Sequence, residues 1–452
     1  MAEWITSGRP QRDVWELDVR RFYSWQNNRN FLSDRIVEMV GNAWANHWPY
    51  KQLTTARPVR CSSLHGRMEN LGACFGQVAG WERPNWFAPE GAKPNYEYSW
   101  GRQNWFEYSA AEHMAVRNGV GIYDLSSFAN FMFEGCDALS VLQNVCANDI
   151  DVPFGKVVYT QMLNEKGGIE ADITVTRLDQ QKFFIVTGTP TGVRDFDHIS
   201  RHIPDVTHAV LTDMTSAFAT LGIMGPRSRE LLSRLTLADL SNNAFAFVSA
   251  QFIELAYATP LAVRISFVGE LGWELYMPTD FAPAVFDALM NAGQDMGIQP
   301  VGFHAIDSLR LERGYRHWGA DIGPDDTPWE AGLGFAVKLN KGDFIGREAL
   351  LSQKENGLRR KLVTFTVEDP EALIYHDEPI YRNGHLAGCN THGSYSHLLG
   401  CPIGMSYLKN SKGINDAWIL DATYEIEVEG QRVPAKVHLK PVYDPEGRRV
   451  KM

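Results

Sequence analysis

The sequence predicts an α+β fold that ends in a small β-barrel or sandwich. Up to about Leu358, strand-like and helix-like segments are mixed without the strict strand–helix alternation of a parallel, doubly wound sheet. After Leu358 the segments alternate polar and apolar residues, which is typical of strands. The length of 452 residues, with 44% hydrophobic and 21% charged residues, suits a globular protein with a large core.

Composition divides the chain into three expected domains. Residues 1–108 are rich in Trp, Arg, Asn and Pro and contain one predicted helix, at 18–43, so we expect a covering layer or an interface. Residues 109–352 contain a mixture of strand and helix signals and form the main domain. Residues 353–452 form the strand-rich last domain.

Turn and cap residues mark the elements of the main domain. Ser109 and Glu112 predict a capping box that opens a helix ending at Gly119. The Gly225-Pro226 pair predicts the start of another helix. Further helices are expected over 191–202, from Thr279 or Asp280 to Gly293, and up to Gly314. Strands are expected at GIYDLS, NFMFEG, KVVYTQML, KFFIVTG, LAVRISFVGE and WELYMP.

The last domain shows clear hairpin and strand signals. Asn383-Gly384, between PIYR and HLAG, is typical of a type I′ turn. In TYEIEVEG the period of two places Tyr424, Ile426 and Val428 on the inner face of a strand. Both signals favour a barrel or sandwich.

Charge and motif content argue against several classes of function. A formal net charge of −11 is unsuited to a nucleic-acid surface. No apolar run reaches the roughly 20 residues of a membrane-spanning helix, and the amino terminus has no apolar signal core, so we expect a cytoplasmic protein, or a mitochondrial-matrix protein in a eukaryote. The six cysteines and 13 histidines lack metal-like spacing, which predicts free thiols and no metal. No P-loop or strand-to-helix GxGxxG indicates a dinucleotide bound within the chain.

The stretch GKVVYTQMLNEKGGIEADITVTRL, residues 155–178, is the candidate small-molecule site. After its double-glycine turn, Asp172, Thr174 and Thr176 alternate with apolar residues and share one face of a strand. A carboxylate beside two hydroxyls suits binding of a small polar molecule. The alternative interpretation is an ordinary solvated strand face.

Six segments, in this order, resemble the folate-binding T-protein of the glycine cleavage system. They lie at 119–135, 159–175, 266–278, 302–339, 344–350 and 388–408. The opening EWITSGRPQRDVWELDVRRF, the segment 65–91 and SFVGELGWELYMP are similar to the carboxy-terminal half of sarcosine and dimethylglycine dehydrogenases. In those enzymes a preceding flavin domain oxidises the N-methyl group, so the resemblance implies that the oxidation chemistry lies outside this chain.

The resemblance implies roles for four residues. Asp172 matches the Asp that lies near the folate nitrogens, and we expect it to be the catalytic residue. Thr174 is expected to contact folate from the next position on the same face. Glu270 matches the Glu of the family's G-E turn and is expected to accept two N–H groups of the pterin. Arg310, in DSLRLERG, matches an Arg of the family's RLE helix and is expected to contact folate.

Structural alternatives accompany these assignments. Taken alone, Glu270 is typical of a solvated turn and Arg310 of a surface ion pair. Trp318, Trp329 and Tyr395 suit either the core or a pocket wall.

The resemblance implies transfer of a one-carbon unit from a small N-methyl amine, such as sarcosine or dimethylglycine, to tetrahydrofolate, giving methylenetetrahydrofolate. FAD is expected only on a partner flavoprotein or a missing domain. One alternative is a self-sufficient folate-dependent methyltransferase or demethylase. Another is a non-catalytic regulatory or scaffold protein that uses the aromatic-rich first 108 residues as a docking surface.

Overall fold

A computed structural model describes residues 2–8, 10 and 12–452. Within those residues, no helix is both long enough and apolar enough to cross a bilayer. The helices are α1 (Ala2–Ser7), α2 (Arg29–Asn42), α3 (His65–Asn70), α4 (Phe106–Asn118), α5 (Ala138–Val145), α6 (Gly192–Arg201), α7 (Ser228–Ser233), α8 (Ala282–Ala292), α9 (Phe303–Glu312), α10 (Arg347–Asn356) and α11 (Asp416–Leu420).

The strands build two sheets, a hairpin and a closed barrel, which confirms the predicted α+β class with a carboxy-terminal barrel. The strands are β1 (Ala73–Val78), β2 (Trp81–Phe87), β3 (Gly121–Asp124), β4 (Ala129–Glu134), β5 (Val157–Leu163), β6 (Ile169–Asp179), β7 (Lys182–Thr187), β8 (Val210–Asp213), β9 (Phe218–Met224), β10 (Ser249–Phe252), β11 (Leu261–Arg264), β12 (Gly272–Pro278), β13 (Gln299–Pro300), β14 (Arg360–Val367), β15 (Pro379–Arg382), β16 (His385–Ser396), β17 (Cys401–Lys409), β18 (Tyr424–Val428) and β19 (Gln431–His438).

One sheet is five-stranded and antiparallel, in the order β5-β6-β7-β4-β8. The second has six strands in the order β10-β11-β12-β9-β3-β13, and only β13 runs parallel to its neighbour. The barrel closes in the order β14-β17-β16-β15-β18-β19. Hydrogen bonding around the barrel leaves no open edge among these strands.

The two sheets face each other through an apolar contact at one end. The face of the five-stranded sheet that points away from the second sheet packs on α5 and α6, and Ile173 and Val175 of β6 lie in that apolar cluster. Phe184 of β7 faces the second sheet, and its ring lies 5.0 Å from that of Tyr276 on β12. Because Phe184 pairs with Thr176, the polar face of β6 turns toward the second sheet as well.

The first predicted helix is wrong at its amino-terminal end. Residues 15–27 form three short 3-10 turns, and α2 begins only at Arg29. The side chain of Asp18 accepts the backbone N–H of Arg20 and stabilises a separate turn there. Asn28 accepts the backbone N–H groups of Asn30 and Phe31, so it caps α2 and fixes its start.

The predicted capping box at Ser109 and Glu112 is also wrong. Helix α4 begins three residues earlier, at Phe106, which leaves Ser109 inside the helix. The Glu112 carboxylate accepts the backbone N–H of Phe87 at 2.7 Å and that of Gly302 at 2.8 Å. Glu112 therefore joins α4 to β2 and α9 instead of capping its own helix. The predicted stop at Gly119 is confirmed.

The barrel follows its sequence signals. Asn383 and Gly384 both have positive φ, 49° and 78°, as a type I′ turn requires. Tyr424, Ile426 and Val428 are buried in the barrel core. The barrel packs against α9, because the side chain of Leu311 lies in a cluster with residues of β14 and β17.

Candidate functional site

Asp172 lies on the face of β6 that turns toward the second sheet. Gln161 of β5 pairs with it in the sheet, and its amide nitrogen donates to Asp172 Oδ1 at 2.8 Å. The hydroxyl of Tyr159, two residues earlier on β5, forms a second side-chain hydrogen bond with the carboxylate. Burial raises the pKa of Asp172 to about 6, although these bonds and the charge of Arg316 oppose the rise. Asp172 is therefore ionised at neutral pH and close to its titration point.

Thr174 lies beside Asp172 on the same face, as the alternation predicts. It pairs with Tyr159 on one side and with Val186 of β7 on the other, and its side chain is half-buried. The ring of Tyr159 stacks on that of Phe335, at 5.9 Å and 22°. Since Phe335 is 67% exposed, this pair forms an accessible aromatic surface next to the carboxylate and the hydroxyl.

The facing sheet carries a half-buried carboxylate that the sequence reasoning missed. Glu274 of β12 is half-buried, and the hydroxyl of Tyr276 donates to its Oε2 at 2.5 Å. Burial raises the pKa of Glu274, and this hydrogen bond only partly offsets the rise. Alternation in WELYMP was the available signal, because it puts Glu274 on the same face as Tyr276. That face is the one that meets Phe184 of the five-stranded sheet.

Glu270, predicted to hold the pterin, is committed to contacts within the protein. Its side chain is fully buried. Oε1 accepts from the guanidinium of Arg117 at 3.0 Å and from the hydroxyl of Tyr443, and Oε2 accepts from Nε of Arg449 at 2.7 Å. The carboxylate thus joins α4 to the chain that follows the barrel. A pterin edge would have to displace these charge-assisted bonds.

Arg310 is also held by internal partners. Its guanidinium pairs with Asp307 at 2.9 Å and with Asp321, and it donates to the backbone oxygen of Tyr315 at 3.1 Å. The surface ion pair considered as its alternative is not what the structure shows, since only 1% of the side chain is exposed. The network continues to the barrel, where His392 lies 2.6 Å from Asp307.

Three aromatic residues take structural positions around these groups. The indole nitrogen of Trp318 donates to the backbone oxygen of Ile169 at 2.9 Å, which fixes the start of β6. The indole nitrogen of Trp329 donates to Leu350 at 3.0 Å, and Trp329 packs with Trp318 in one apolar cluster. Tyr395 lines a separate cavity of about 50 Å³ between residues 50–109 and the barrel.

Comparisons with protein families match both the two-sheet domain and the appended barrel. The GCVT N-terminal domain matches residues 64–341, and the glycine cleavage T-protein C-terminal barrel domain matches residues 360–444. A third match, at residues 7–62, is to the FAD dependent oxidoreductase central domain. The chain belongs to the glycine cleavage T-protein family.

Individual relatives place it within that family. It is 45% identical to 4-methylaminobutanoate oxidase (formaldehyde-forming) of Paenarthrobacter nicotinovorans, over 100% of this chain and 54% of the relative. It is 34% identical to mitochondrial sarcosine dehydrogenase of Mus musculus, over 100% of this chain and 54% of the relative. The chain thus spans about half the length of these curated relatives. The structure of aminomethyltransferase T of the glycine cleavage system from Bartonella henselae matches with a TM-score of 0.72 at 25% identity, covering 86% of this chain and 99% of that one.

Proposed function

We propose that the chain binds tetrahydrofolate at the polar face of β6 and passes to it a one-carbon unit from an N-methyl amino acid. The carrying observation is Asp172, an ionised, half-buried carboxylate held by Gln161 and Tyr159. Tetrahydrofolate supplies the amine nitrogens that accept the one-carbon unit. Two of the relatives are named for N-methyl amino acids or their oxidation, which supports an amine donor of that class.

The residues present fit such a ligand. The stacked pair of Tyr159 and Phe335 offers a flat apolar surface to an aromatic ring. Thr174 adds a hydroxyl that both donates and accepts, and Glu274 adds an acceptor from the opposite sheet. We propose Asp172 and Thr174 as site residues, with Glu274 in the place first expected for Glu270.

Asp172 has two tasks in this proposal. As an anion, it stabilises positive charge on the amine carbon–nitrogen group that delivers the one-carbon unit. With a pKa of about 6, it also accepts a proton from an amine nitrogen near neutral pH, a contribution typically worth about 10²–10⁴-fold in rate. Gln161 and Tyr159 hold the carboxylate in one orientation, so neither task requires it to reorganise.

We further propose that Glu270 and Arg310 act only through the fold. Glu270 anchors the chain after the barrel to α4, and Arg310 anchors α9 to the barrel. Their substitution should therefore change stability more than ligand affinity.

The flavin that oxidises the amine is proposed to lie on another polypeptide segment, in the same protein or in a partner. Helix α2 supports this, because its apolar side faces solvent. Ile36, Val37 and Val40 lie within an arc of about 100° and are 52%, 75% and 61% exposed. In an ordinary surface helix such a stripe faces a core.

The polar side of α2 is the one that contacts the protein. Glu38 accepts from the backbone and hydroxyl groups of Thr54 and Thr55, and Arg35 donates to the backbone oxygen of Thr55. The helix lies inside the stretch that matches the FAD dependent oxidoreductase central domain. A flavin-binding polypeptide is therefore our proposed occupant of the outward apolar stripe.

A titration with tetrahydrofolate tests the central proposal. Saturable binding is expected, with affinity reduced at least about tenfold in Asp172→Asn, because hydrogen bonds and ion pairs to a charged partner are worth about 1.5–3 kcal/mol. Asp179→Asn is the matched control, since Asp179 is an exposed carboxylate on the same strand. Absence of saturable binding in the wild-type protein, or equal affinity in the wild type and both variants, would contradict the proposal.

A further inference from the structure

Arg316 is a half-buried cation that donates to backbone carbonyl groups. Its Nε donates to the backbone oxygen of Ala331 at 2.9 Å, and its Nη1 donates to that of Gly314. Among the residues that the structure describes, no carboxylate forms an ion pair with it. Arg310, six residues earlier, has two such pairs. Burying a guanidinium against carbonyl groups alone is costly, so this site is more favourable when an anion is present.

The remaining nitrogen of Arg316, Nη2, is available to such an anion. It donates no hydrogen bond to the residues that the structure describes, and it is not one of the solvent-inaccessible polar atoms that lack a partner, so it is accessible. Gly332 keeps the space beside it open. A Cβ at that position, where φ is 70°, would lie 2.9 Å from Nη2. The guanidinium is therefore held by carbonyl groups at Nε and Nη1 and is open at Nη2.

Arg316 lies on the Asp172 side of the domain, because Ala331, whose backbone oxygen accepts its Nε–H, belongs to the apolar cluster against which Tyr159 packs. The positive charge of Arg316 acts to lower the pKa of Asp172, and the Asp172 carboxylate acts on Arg316 in turn. No hydrogen bond joins Arg316 to Asp172, so the two opposite charges are neighbours that do not neutralise each other directly. This arrangement suits a ligand that carries both charges.

We propose that Arg316 binds a carboxylate of the ligand that occupies the Asp172 site. This rests on the proposed function, in which two molecules bring a carboxylate: the N-methyl amino acid and the glutamyl tail of folate. A guanidinium with an open edge recognises a carboxylate from either source. With the amino acid, Asp172 faces the cationic nitrogen and Arg316 the anionic end. With folate, Arg316 holds the tail while Asp172 faces the amine nitrogens.

Four probes and three variants test the assignment. Sarcosine is compared with N-methylethylamine, which lacks the carboxylate, and tetrahydrofolate with the primary amide of tetrahydropteroate, which has neither the glutamate nor any other carboxylate. Dissociation constants are measured by calorimetry for the wild type, Arg316→Gln and Arg316→Lys. Arg347→Gln is the control, because Arg347 is also half-buried and donates Nε to a backbone carbonyl, but it forms an ion pair with the exposed Glu348.

The expected result is a loss of about 10- to 100-fold for one carboxylate-bearing probe in Arg316→Gln, with its carboxylate-free counterpart unchanged. Loss confined to sarcosine assigns the amino acid, and loss confined to tetrahydrofolate assigns the glutamyl tail. Arg316→Lys should recover part of the affinity. If Arg316→Gln weakens neither pair selectively, or the wild type does not favour the carboxylate-bearing member of either pair, the assignment is wrong. Binding of the tetrahydropteroate amide that responds to Asp172→Asn would still support the proposed function in that case.

Discussion

Asp172 is the residue where stability and function oppose each other. Burial raises its pKa to about 6 from the ordinary 3.8, so the folded protein holds the ionised form at a cost. A shift of this size corresponds to about 3 kcal/mol at pH values above both pKa values. Such a cost is tolerated where a charged group serves a ligand.

Asp172→Asn should therefore stabilise the protein at neutral pH. The raised pKa means that the folded state binds more protons than the unfolded state between about pH 4 and 6, so the wild type gains stability as the pH falls through that window. Asn cannot ionise, and the variant should gain about 1–3 kcal/mol at pH 7.5 and little at pH 4. Urea unfolding at both pH values measures this. A variant that is less stable at pH 7.5 would contradict the assigned pKa shift.

Folate affinity should follow the same titration in the opposite sense. The ionised form of Asp172 is the one proposed to face the folate amines, so affinity should fall as the pH drops through about 6. Binding curves between pH 5 and 8 show this, with Asp172→Asn giving a weaker and flatter profile. An unchanged slope in the variant would assign the pH dependence to another group.

Substitutions at Glu270 and Glu274 should distinguish a role in stability from a role in folate binding. Glu270→Gln removes the ion pairs of Glu270 with Arg117 and Arg449, but Arg117 keeps its pair with Glu312, so the substitution should cost about 1–3 kcal/mol of unfolding free energy. Its folate affinity, measured where the variant is folded, should stay within about threefold. Glu274→Gln should show the converse, with retained stability and weaker binding. Thermal melts paired with folate titrations distinguish the structural role from the binding role. Loss of folate affinity in Glu270→Gln alone would instead support the predicted pterin contact of Glu270.

At the scale of elements, the sequence predicted the features that depend on residues close together in the chain. Alternation located the polar face of β6 and the inner face of β18, because the period of a strand is local. The partners of Glu270 were not predictable in this way, since Tyr443 and Arg449 lie more than 170 residues further on. The start of α2 was missed for a different reason: Asp18 caps a separate short turn, and the residue that caps α2 is Asn28.

The exposed apolar stripe of α2, formed by Ile36, Val37 and Val40, gives a testable prediction. Ten of the 26 large apolar side chains that the described residues expose lie before residue 45, including Val40. A photo-crosslinking amino acid at Val40, introduced in cells that make the protein with its flavin-binding polypeptide, should crosslink to that polypeptide. The same probe at Val206, which is 89% exposed elsewhere, is the control and should not. Crosslinks between two copies of α2 would instead identify a homodimer and contradict the proposed occupant.

At the scale of the whole molecule, a buried charge network holds the barrel on the main domain. Asp307 of α9 contacts both Arg310 and His392 of β16, and the barrel residue Thr391 donates to Asp321 at 2.9 Å. The barrel and the main domain therefore share acidic and basic groups at their contact, in addition to the apolar packing of Leu311. Coupling of this kind makes the stability of the two parts depend on the charge state of the network.

His392 should make that coupling sensitive to pH. Burial opposes its protonation, but the charge of Asp307 and the hydrogen bond to it outweigh burial and raise the His392 pKa above its ordinary 6.5. A raised histidine pKa contributes stability that is complete below the unfolded value and is lost as the pH rises through the folded value. The wild type should therefore melt at a lower temperature at pH 9 than at pH 6.5. His392→Gln should lose most of that difference while His376→Gln, which changes an exposed histidine, should keep it.

Because the network joins α9 to the barrel, the loss of stability at high pH should appear first as faster hydrogen exchange in β16 and β17. Equally fast exchange in the barrel and in both sheets would show that the network does not govern the docking of the barrel.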